Sequence, residues 1–448
     1  MSLVISAPAS SSIAQEFHNH NGFLSVFYIT VPNLGQVISP LYIGPLSERL
    51  GRAPVCHLFN ALFLIFTLIS GFSSSFGMII CLRFLAGACI ASICLNPAIT
   101  GDLFAMRKRG AALSITSLIP ILGSAVGPIA GGYITQYLSW RWCFWLMAIM
   151  TAALTPIMAF VLKESYVPVI RRRALKKAGA SAGAGAGTGA ASKEKNASSP
   201  SPGKYWTGWN MATAKAFALL AIRPFIILSS SGIAVLMGLY LSMLFAYLSL
   251  LAATLATVFQ EVYGFSESQS GLIYIALTVG TISGAIMCAF TLDYFLERGL
   301  SRKKPDADSN DDMAPRLENR LIPIIPAMVA FPTGLLVYGW SLEKQVHWIV
   351  PTLATVLCGF SLSSSTTPIM NYLVDLFGDR SASAVAAVLP LRYIAGGFMP
   401  VAAPYMYSKL GYGWANTLLA LLLLVTVSAP LSAIIRSQRR LPSSLPEQ

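Results

Sequence analysis

The sequence predicts an all-α membrane protein: two bundles of six helices, the first helix incomplete, joined by a disordered cytoplasmic linker. Three observations lead there. Of the 448 residues, 55% are hydrophobic and 11% charged, with a mean hydropathy of +0.65, whereas a soluble globular protein carries about 25% charged residues. Apolar stretches of about 20 residues recur along the whole chain, and each is long enough to cross ~30 Å of hydrocarbon at ~1.5 Å per residue. Lysines and arginines gather at every second connection: 26 of the 31 lie in 44–54, 101–110, 163–223, 293–320, 373–383 and the C-terminal end from Arg436. The alternate connections hold only Arg141, Lys344 and Lys409. This asymmetry places the first set in the cytoplasm. The net charge of +13 is thereby a topology signal, and no nucleic-acid partner is expected.

Taken in order, the full spans fall at 23–43, 55–73, 77–100, 111–137, 142–162, 225–258, 270–292, 321–341, 347–372, 384–408 and 414–435. The stretch from Pro224 to Gln260 is long enough for two spans. Splitting it would put the basic loop at 293–320 on the wrong side, so one long tilted span is expected. Before the first full span stands MSLVISAPASSSIA, which at ~1.5 Å per residue reaches about 21 Å and reads as the outer two-thirds of a helix lacking its cytoplasmic start. A cleaved signal peptide is the weaker alternative, because the segment has no basic n-region and a broken apolar stretch.

Residues 1–163 therefore form an N-terminal six-helix bundle and 224–436 a C-terminal one, with 164–223 a cytoplasmic linker and 437–448 a cytoplasmic tail. Low complexity around 174–203, rich in Gly, Ala, Ser and Pro without apolar periodicity, cannot bury a core. A second polar loop, Ser301 to Arg320, reads as disordered too.

Several chemistries are absent from the pattern. The seven cysteines (Cys56, Cys81, Cys89, Cys94, Cys143, Cys288 and Cys358) lie in or beside apolar spans without the spacing of a disulfide framework or zinc site, and read as small buried hydrophobes. His18 and His20 lack carboxylate or thiol support in a polar loop, so no metal is expected. Asn196-Ala197-Ser198 matches a glycosylation sequon but falls on the cytoplasmic side, where it stays unmodified. No GxxxxGK[ST], HExxH or GxSxG is present, so neither an enzyme nor ATP binding is expected, and no catalytic residue is assigned.

Five motifs carry a resemblance. GPLSERLGRAP, from Gly44 to Pro54, places Gly44 and Gly51 for a tight turn and close backbone approach, with Glu48, Arg49 and Arg52 able to form a charge network at helix ends. LRFLAGACIAS, from Leu82 to Ser92, sets Arg83 inside an apolar span, which costs several kcal/mol unless it meets a partner or water. Snorkelling toward the nearby outer face is the alternative. GSAVGPIAGG, residues 123–132, spaces Gly123, Gly127 and Gly131 four apart for close helix contact, followed by Gly132, while Pro128 kinks the helix. Such breakers survive in lipid only where neighbouring helices surround them. The fourth, KESYVPVIRRR from Lys163 to Arg173, closes the sixth span, and VFQEVYGFSESQSGLIY from Val258 to Tyr274 joins the seventh to the eighth.

The six-plus-six layout and these motifs resemble the major facilitator superfamily, and within it the fungal twelve-span drug:proton antiporters of the cycloheximide-resistance and polyamine exporter group. The resemblance runs from about Ser6 to Arg436, apart from the two disordered loops. It implies that Gly44, Glu48, Arg49, Gly51, Arg52 and Asp102 form a cytoplasmic latch of the outward-open state. It makes Arg83 the fourth-span arginine and 123–132 the fifth-span antiporter motif. Ala86 departs from that fourth-span pattern, which carries glutamine there, so a proton path through this side chain is not expected.

The fold implied by the resemblance puts the substrate between the halves near the midplane. Candidate cavity residues are Asn33, Gln36, Asn96, Tyr240, Phe245, Tyr247, Tyr274, Asn371 and Tyr393, with Arg392 the one charge deep in the second half. Proton coupling needs a titratable group, usually a carboxylate or histidine, and none lies deep in a complete span. Glu48, Asp102, Asp293 and Asp375 sit at cytoplasmic ends; Glu16, Glu261 and Glu267 sit at outer ends. Either such a carboxylate, competing with Arg83 or Arg392 for charge, carries the proton, or the carrier lay on a preceding segment. The expected function is proton-driven efflux, by alternating access, of small amphipathic compounds such as drugs, toxins or secondary metabolites, cationic ones among them. The expected location is the plasma membrane, with the proton gradient in place of any cofactor. The partners are the lipid bilayer and a small-molecule substrate, and no obligate protein partner is implied. A proton-coupled nutrient importer and a non-transporting truncated product are the alternatives.

Overall fold

A computed structural model describes residues 5–18, 21–103, 122–123, 126–166, 168–171, 174–175, 232–301, 321–377 and 381–439. Among them there is no strand, and eight stretches are long and apolar enough to cross a membrane. Most of the expected linker, Asn196, His20, the fifth-span start at 111–121, the loop at 302–320 and the tail from 440 lie outside the described residues.

The first group of helices comprises α1 (Ser10–Glu16), α2 (Gly22–Leu50), α3 (Arg52–Ser70), α4 (Phe76–Ala88), α5 (Ser92–Leu103), α6 (126–137) and α7 (Arg141–Val161). The segment before α2 is helical only from Ser10, and residues 5–9 form turns rather than the expected helix. Pro8 has no N–H to donate, which disfavours continuous helix there. Asn21 caps α2 by accepting from the Phe23 N–H (3.0 Å), and Ser75 caps α4 by accepting from that of Met78 (3.2 Å). The span expected at 77–100 is broken at 89–91 into α4 and α5, a stretch flanked by Gly87 and Pro97, both weak helix formers.

The second group comprises α8 (Gly232–Tyr263), α9 (Glu267–Leu272), α10 (Tyr274–Ser301), α11 (Ile324–Glu343), α12 (Ile349–Phe377), α13 (Ser381–Phe398) and α14 (Ala403–Arg439). One helix, α8, runs without interruption through residues 232–260 of the stretch that was long enough for two, and past the expected end to Tyr263. Ser266 and Gln269 then form a capping box that starts α9. A 3-10 turn, Met399–Ala402, links α13 to α14, and α14 itself breaks at Gly411, whose φ of 71° and ψ of 173° are not helical. Glu343 accepts from the Tyr412 (2.8 Å) and Gly413 (3.3 Å) N–H groups. It thereby caps the helix that restarts after the break.

The burial pattern is that of a chain solvated by lipid. Phe160 and Phe290 are 85% and 78% exposed, while Asn33, Gln36, Arg83 and Ser361 are buried. The end of the bundle carrying Gly51 and Glu164 is called the basic face below, and the end carrying Asn21, Trp140 and Gly264 the opposite face.

Candidate functional site

At the basic face two motifs that are distant in sequence meet. Gly51 turns the chain between α2 and α3 with φ of 107°, and an added Cβ would lie 2.0 Å from Glu164 Oε2. No side chain of the turn caps α3. Glu164 supplies the missing acceptor: the Arg52 N–H donates to its Oε1 at 2.9 Å, as does the Tyr166 N–H at 3.1 Å, so a carboxylate meets the positive end of α3. Arg52 reaches in the other direction. Its Nε lies 3.3 Å from Asp102 Oδ2, its Nη1 donates to Ser47 Oγ at 2.6 Å, and its guanidinium stands 4.9 Å from the Tyr166 ring centroid. Gly51, Arg52 and Asp102 are thus brought together. Gly44 is not part of the turn: it lies within α2, and an added Cβ there would meet nothing within 4 Å. The side chains of Glu48 and Arg49 lie outside the described residues.

Arg83 is buried, 3% exposed, so it does not snorkel. Its Nη1 donates to Ser6 Oγ, its Nη2 lies 3.5 Å from the Ile29 carbonyl, and its guanidinium stands 5.4 and 5.7 Å from the Tyr28 and Phe144 ring centroids. Tyr28 in turn donates its hydroxyl to the Ser6 carbonyl at 2.6 Å. Acceptors and π faces offset the desolvation of the charge, and the result fastens the N-terminal segment to the first group.

The other side of that segment is fastened to the second group. Ser10 Oγ lies 3.2 Å from Thr257 Oγ1, Ser11 donates to Gln260 Oε1 at 3.2 Å, Ser12 donates to Glu267, and Gln260 Nε2 donates to the Pro8 carbonyl at 3.3 Å. At the end of α1, Glu16 pairs with Arg141 at 2.7 and 3.0 Å and accepts from Trp140 Nε1 at 2.5 Å. The Arg141 hydrogen bond, chief among these effects, holds the Glu16 carboxyl below its usual range.

The helix 126–137 lies beside this seal. An added Cβ on Gly131 would come within 1.9 Å of the Ile5 carbonyl, and one on Gly132 within 2.3 Å of the Glu267 carbonyl. Across the same interface the Ser268 N–H donates to Gln136 Oε1 at 3.2 Å. Gly123, Gly127 and Gly131 were expected to share one face. In the structure the working pair is Gly131 and Gly132, one turned to the N-terminal segment and the other to the second group. Gly127 and Pro128 are buried and Gly123 half-buried; the carbonyl released by Pro128 belongs to residue 124, outside the described residues.

Near the midplane, α2 meets α8 and α13. Asn33 Nδ2 donates to Ser249 Oγ (3.2 Å) and to the Gly396 carbonyl (3.1 Å), Ser249 donates to the same carbonyl at 2.7 Å, and Thr30 donates to the Gly397 carbonyl at 3.0 Å. The Arg392 guanidinium stands 4.2 Å from the Phe245 ring centroid, and Phe245 meets Tyr393 edge to face at 5.6 Å. Gln36 is 1% exposed, and neither polar atom of its amide has a hydrogen-bond partner among the described residues; Asn33 Oδ1 and Arg392 Nε share that state. Asn33, Phe245, Arg392 and Tyr393 therefore line one seam, with Gln36 about one turn beyond Asn33 on α2. The other candidates lie elsewhere. Tyr240 pairs its hydroxyl with Ser365 Oγ at 3.1 Å, Tyr247 packs on Phe331 inside the second group, and Tyr274 donates to the Ala252 carbonyl at 2.7 Å. Asn96 and Asn371 are half-buried, and the Asn96 carbonyl accepts from Thr100.

The family model for the Major Facilitator Superfamily matches residues 1–400. The chain belongs to that superfamily. Among similar proteins, the MFS transporter cpaT of Aspergillus oryzae is 34% identical over 427 residues, covering 95% of this chain and 81% of that protein. The efflux pump radE of Floropilus chiversii is 33% identical over 95% of this chain and 75% of its own length, and the MFS-type transporter penM of Penicillium rubens is 33% identical over 97% and 80%. The fold is shared with the xylose transporter XylE of E. coli in a partially occluded inward-open conformation, at a TM-score of 0.66, 16% identity and coverage of 100% and 95%. A D-xylose-proton symporter matches with a TM-score of 0.65, 16% identity and coverage of 94% and 93%. The chain is thus a multi-pass membrane protein of a superfamily whose similar members are named as transporters rather than enzymes.

Within this superfamily member the Arg52–Asp102 pair is made while the two halves are joined at the opposite face. Sequence reasoning missed Glu164 as the α3 cap, Ser249 as the bridge at the seam, Ser10, Ser11 and Ser12 as the seal, and His57, whose buried Nδ1 has no partner among the described residues. Glu164 had a signal, since it is the second residue of one of the quoted motifs, KESYVPVIRRR. The serines had none, because a serine in an apolar span looks the same whether it bonds its own helix or a facing one.

Proposed function

We propose that this chain is a proton-driven exporter of small amphipathic compounds in a fungal plasma membrane, with the basic face, the central linker and the C-terminus cytoplasmic. One observation carries the reading: the hydrogen bonds joining the halves run from the opposite face, through Ser10, Ser11, Ser12 and Gln136, to the midplane at Asn33. Such a molecule is shut on its outer side. The superfamily's rocking of two halves about a midplane site then makes opening of this seal the export step.

A similar protein named as an efflux pump supports the direction, and the lysine and arginine bias supports the sidedness. No cofactor is invoked; the proton gradient supplies the energy. Of the carboxylates at span ends, Glu267 alone among the described residues bonds across the seal, through Ser12. We place proton coupling there, since gaining or losing its charge changes the contact that holds the halves together.

The test is accumulation of a neutral amphipathic dye, such as Nile red, in yeast expressing the chain. Accumulation should fall on expression, recover with a protonophore, and recover in Arg83→Ala, which frees the N-terminal segment. Equal accumulation with and without a proton gradient would defeat the proposal.

A further inference from the structure

We propose that the compounds carried include aromatic organic acids, bound more tightly than their cationic counterparts, whose carboxylate is held at the midplane seam by Arg392 and Gln36. The inference rests on the exporter reading of the same site and names its substrate class.

The register of α2 against α13 places the two side chains. Thr30 bonds at Gly397 and Asn33 at Gly396, so the helices run antiparallel. Gln36 follows Asn33 by about one turn on its helix, and Arg392 precedes Gly396 by about one turn on the other, ~5 Å in each case. Both steps lead from the same hydrogen bond toward the basic face. Gln36 and Arg392 therefore stand at one depth, one on each of the two helices that form the seam.

The chemistry left open at that depth favours an acid. Phe245 covers one face of the guanidinium at 4.2 Å, which leaves the N–H edge for a ligand in its plane, the geometry that suits a carboxylate. The ion pairs of the described residues, Arg52–Asp102 and Arg141–Glu16, lie at the two ends of the bundle, and no described carboxylate lies against Arg392. A half-buried guanidinium with a buried, unpartnered Nε and no counter-ion among the described residues attracts an anion and repels a cation. Across the seam the Gln36 amide offers a donor to the second oxygen, and its own carbonyl and Asn33 Oδ1 accept from a hydroxyl of the cargo. Phe245 and Tyr393, edge to face, provide the apolar wall for a ring. Cationic compounds, part of the range expected from the sequence, do not fit this seam.

The experiment measures binding of tritiated naphthoate and naphthylmethylammonium, matched in shape and opposite in charge, to the full chain in nanodiscs. Naphthoate should bind about tenfold more tightly or better, the effect of one charge-assisted contact. Arg392→Gln should abolish that preference, and Gln36→Glu, which sets a carboxylate opposite Arg392, should weaken naphthoate by a similar factor while sparing the ammonium ion. Arg392→Lys, which keeps the charge but not the planar fork, provides a milder variant should the glutamine variant misfold; it should bind naphthoate more weakly and still prefer it to the ammonium ion. Tighter or equal binding of the ammonium ion, a preference unchanged in Arg392→Gln and Gln36→Glu, or binding of neither probe would overturn the inference. Gradient-dependent dye extrusion persisting alongside any of these would leave the exporter reading standing.

Discussion

Gly51 is the residue at which sequence and structure agree most closely. Its φ of 107° is costly for any side chain, and Glu164 fills the space where a Cβ would go. Gly51→Ala should lower stability by about 2 kcal/mol, seen as a lower midpoint in thermal unfolding of the detergent-solubilised protein; an unchanged midpoint would contradict this account of the turn. The Arg52–Asp102 pair was legible only through the motif resemblance, since the two residues lie 50 apart in the chain. The cap from Glu164 was not, since a hydrogen bond across 112 residues leaves no local periodicity. At the opposite face, the depressed pKa of Glu16 gives a signed pH dependence. Its contribution to stability is present above the ordinary carboxylate pKa and is lost as pH falls through the lower folded value. Because the pair is partly exposed, the contribution stays below about 1 kcal/mol. The unfolding midpoint of Glu16→Gln should therefore fall less steeply than that of the wild type as the pH drops below about 5; parallel curves would rule the linkage out.

Spans were legible as elements because the demand for uninterrupted apolar length is imposed by lipid, independent of tertiary detail. Interruptions were less so. The break at 89–91 and the Gly411 kink depend on what faces them, Glu343 in the second case. The N-terminal segment is the clearest departure: the hydropathy of residues 1–14 suggested a helix, yet residues 5–9 are turns held by Arg83, Tyr28 and Gln260. Of the fifth-span glycines, Gly131 and Gly132 stand at close contacts whose partners were invisible in the sequence, since Gly132 meets a carbonyl of the other half. Gly132→Val should therefore keep the seal from closing. Labelling of a cysteine placed at Thr257 by a membrane-impermeant maleimide should rise several-fold in that variant, since the labelled fraction follows the population of the open form. Unchanged labelling would show that the helices cross elsewhere. Ser12→Ala, which removes the bond to Glu267, should raise the same labelling by a smaller factor.

For the whole molecule, the central claim is that cargo leaves by parting the two halves at the seal, around a site at the midplane seam. The sequence could state the two-bundle plan from layout and motifs, whereas the state captured here follows from tertiary contacts alone: Asn33 with Ser249, Ser12 with Glu267, Gln136 with Ser268. The last of these offers the most direct measurement. Cysteines placed at Gln136 and Ser268, bridged by a short bifunctional methanethiosulfonate, should stop dye extrusion almost completely, with recovery when a reductant cleaves the bridge and no effect of the reagent on either single-cysteine protein. Extrusion continuing at the unbridged rate with the link in place would contradict the account.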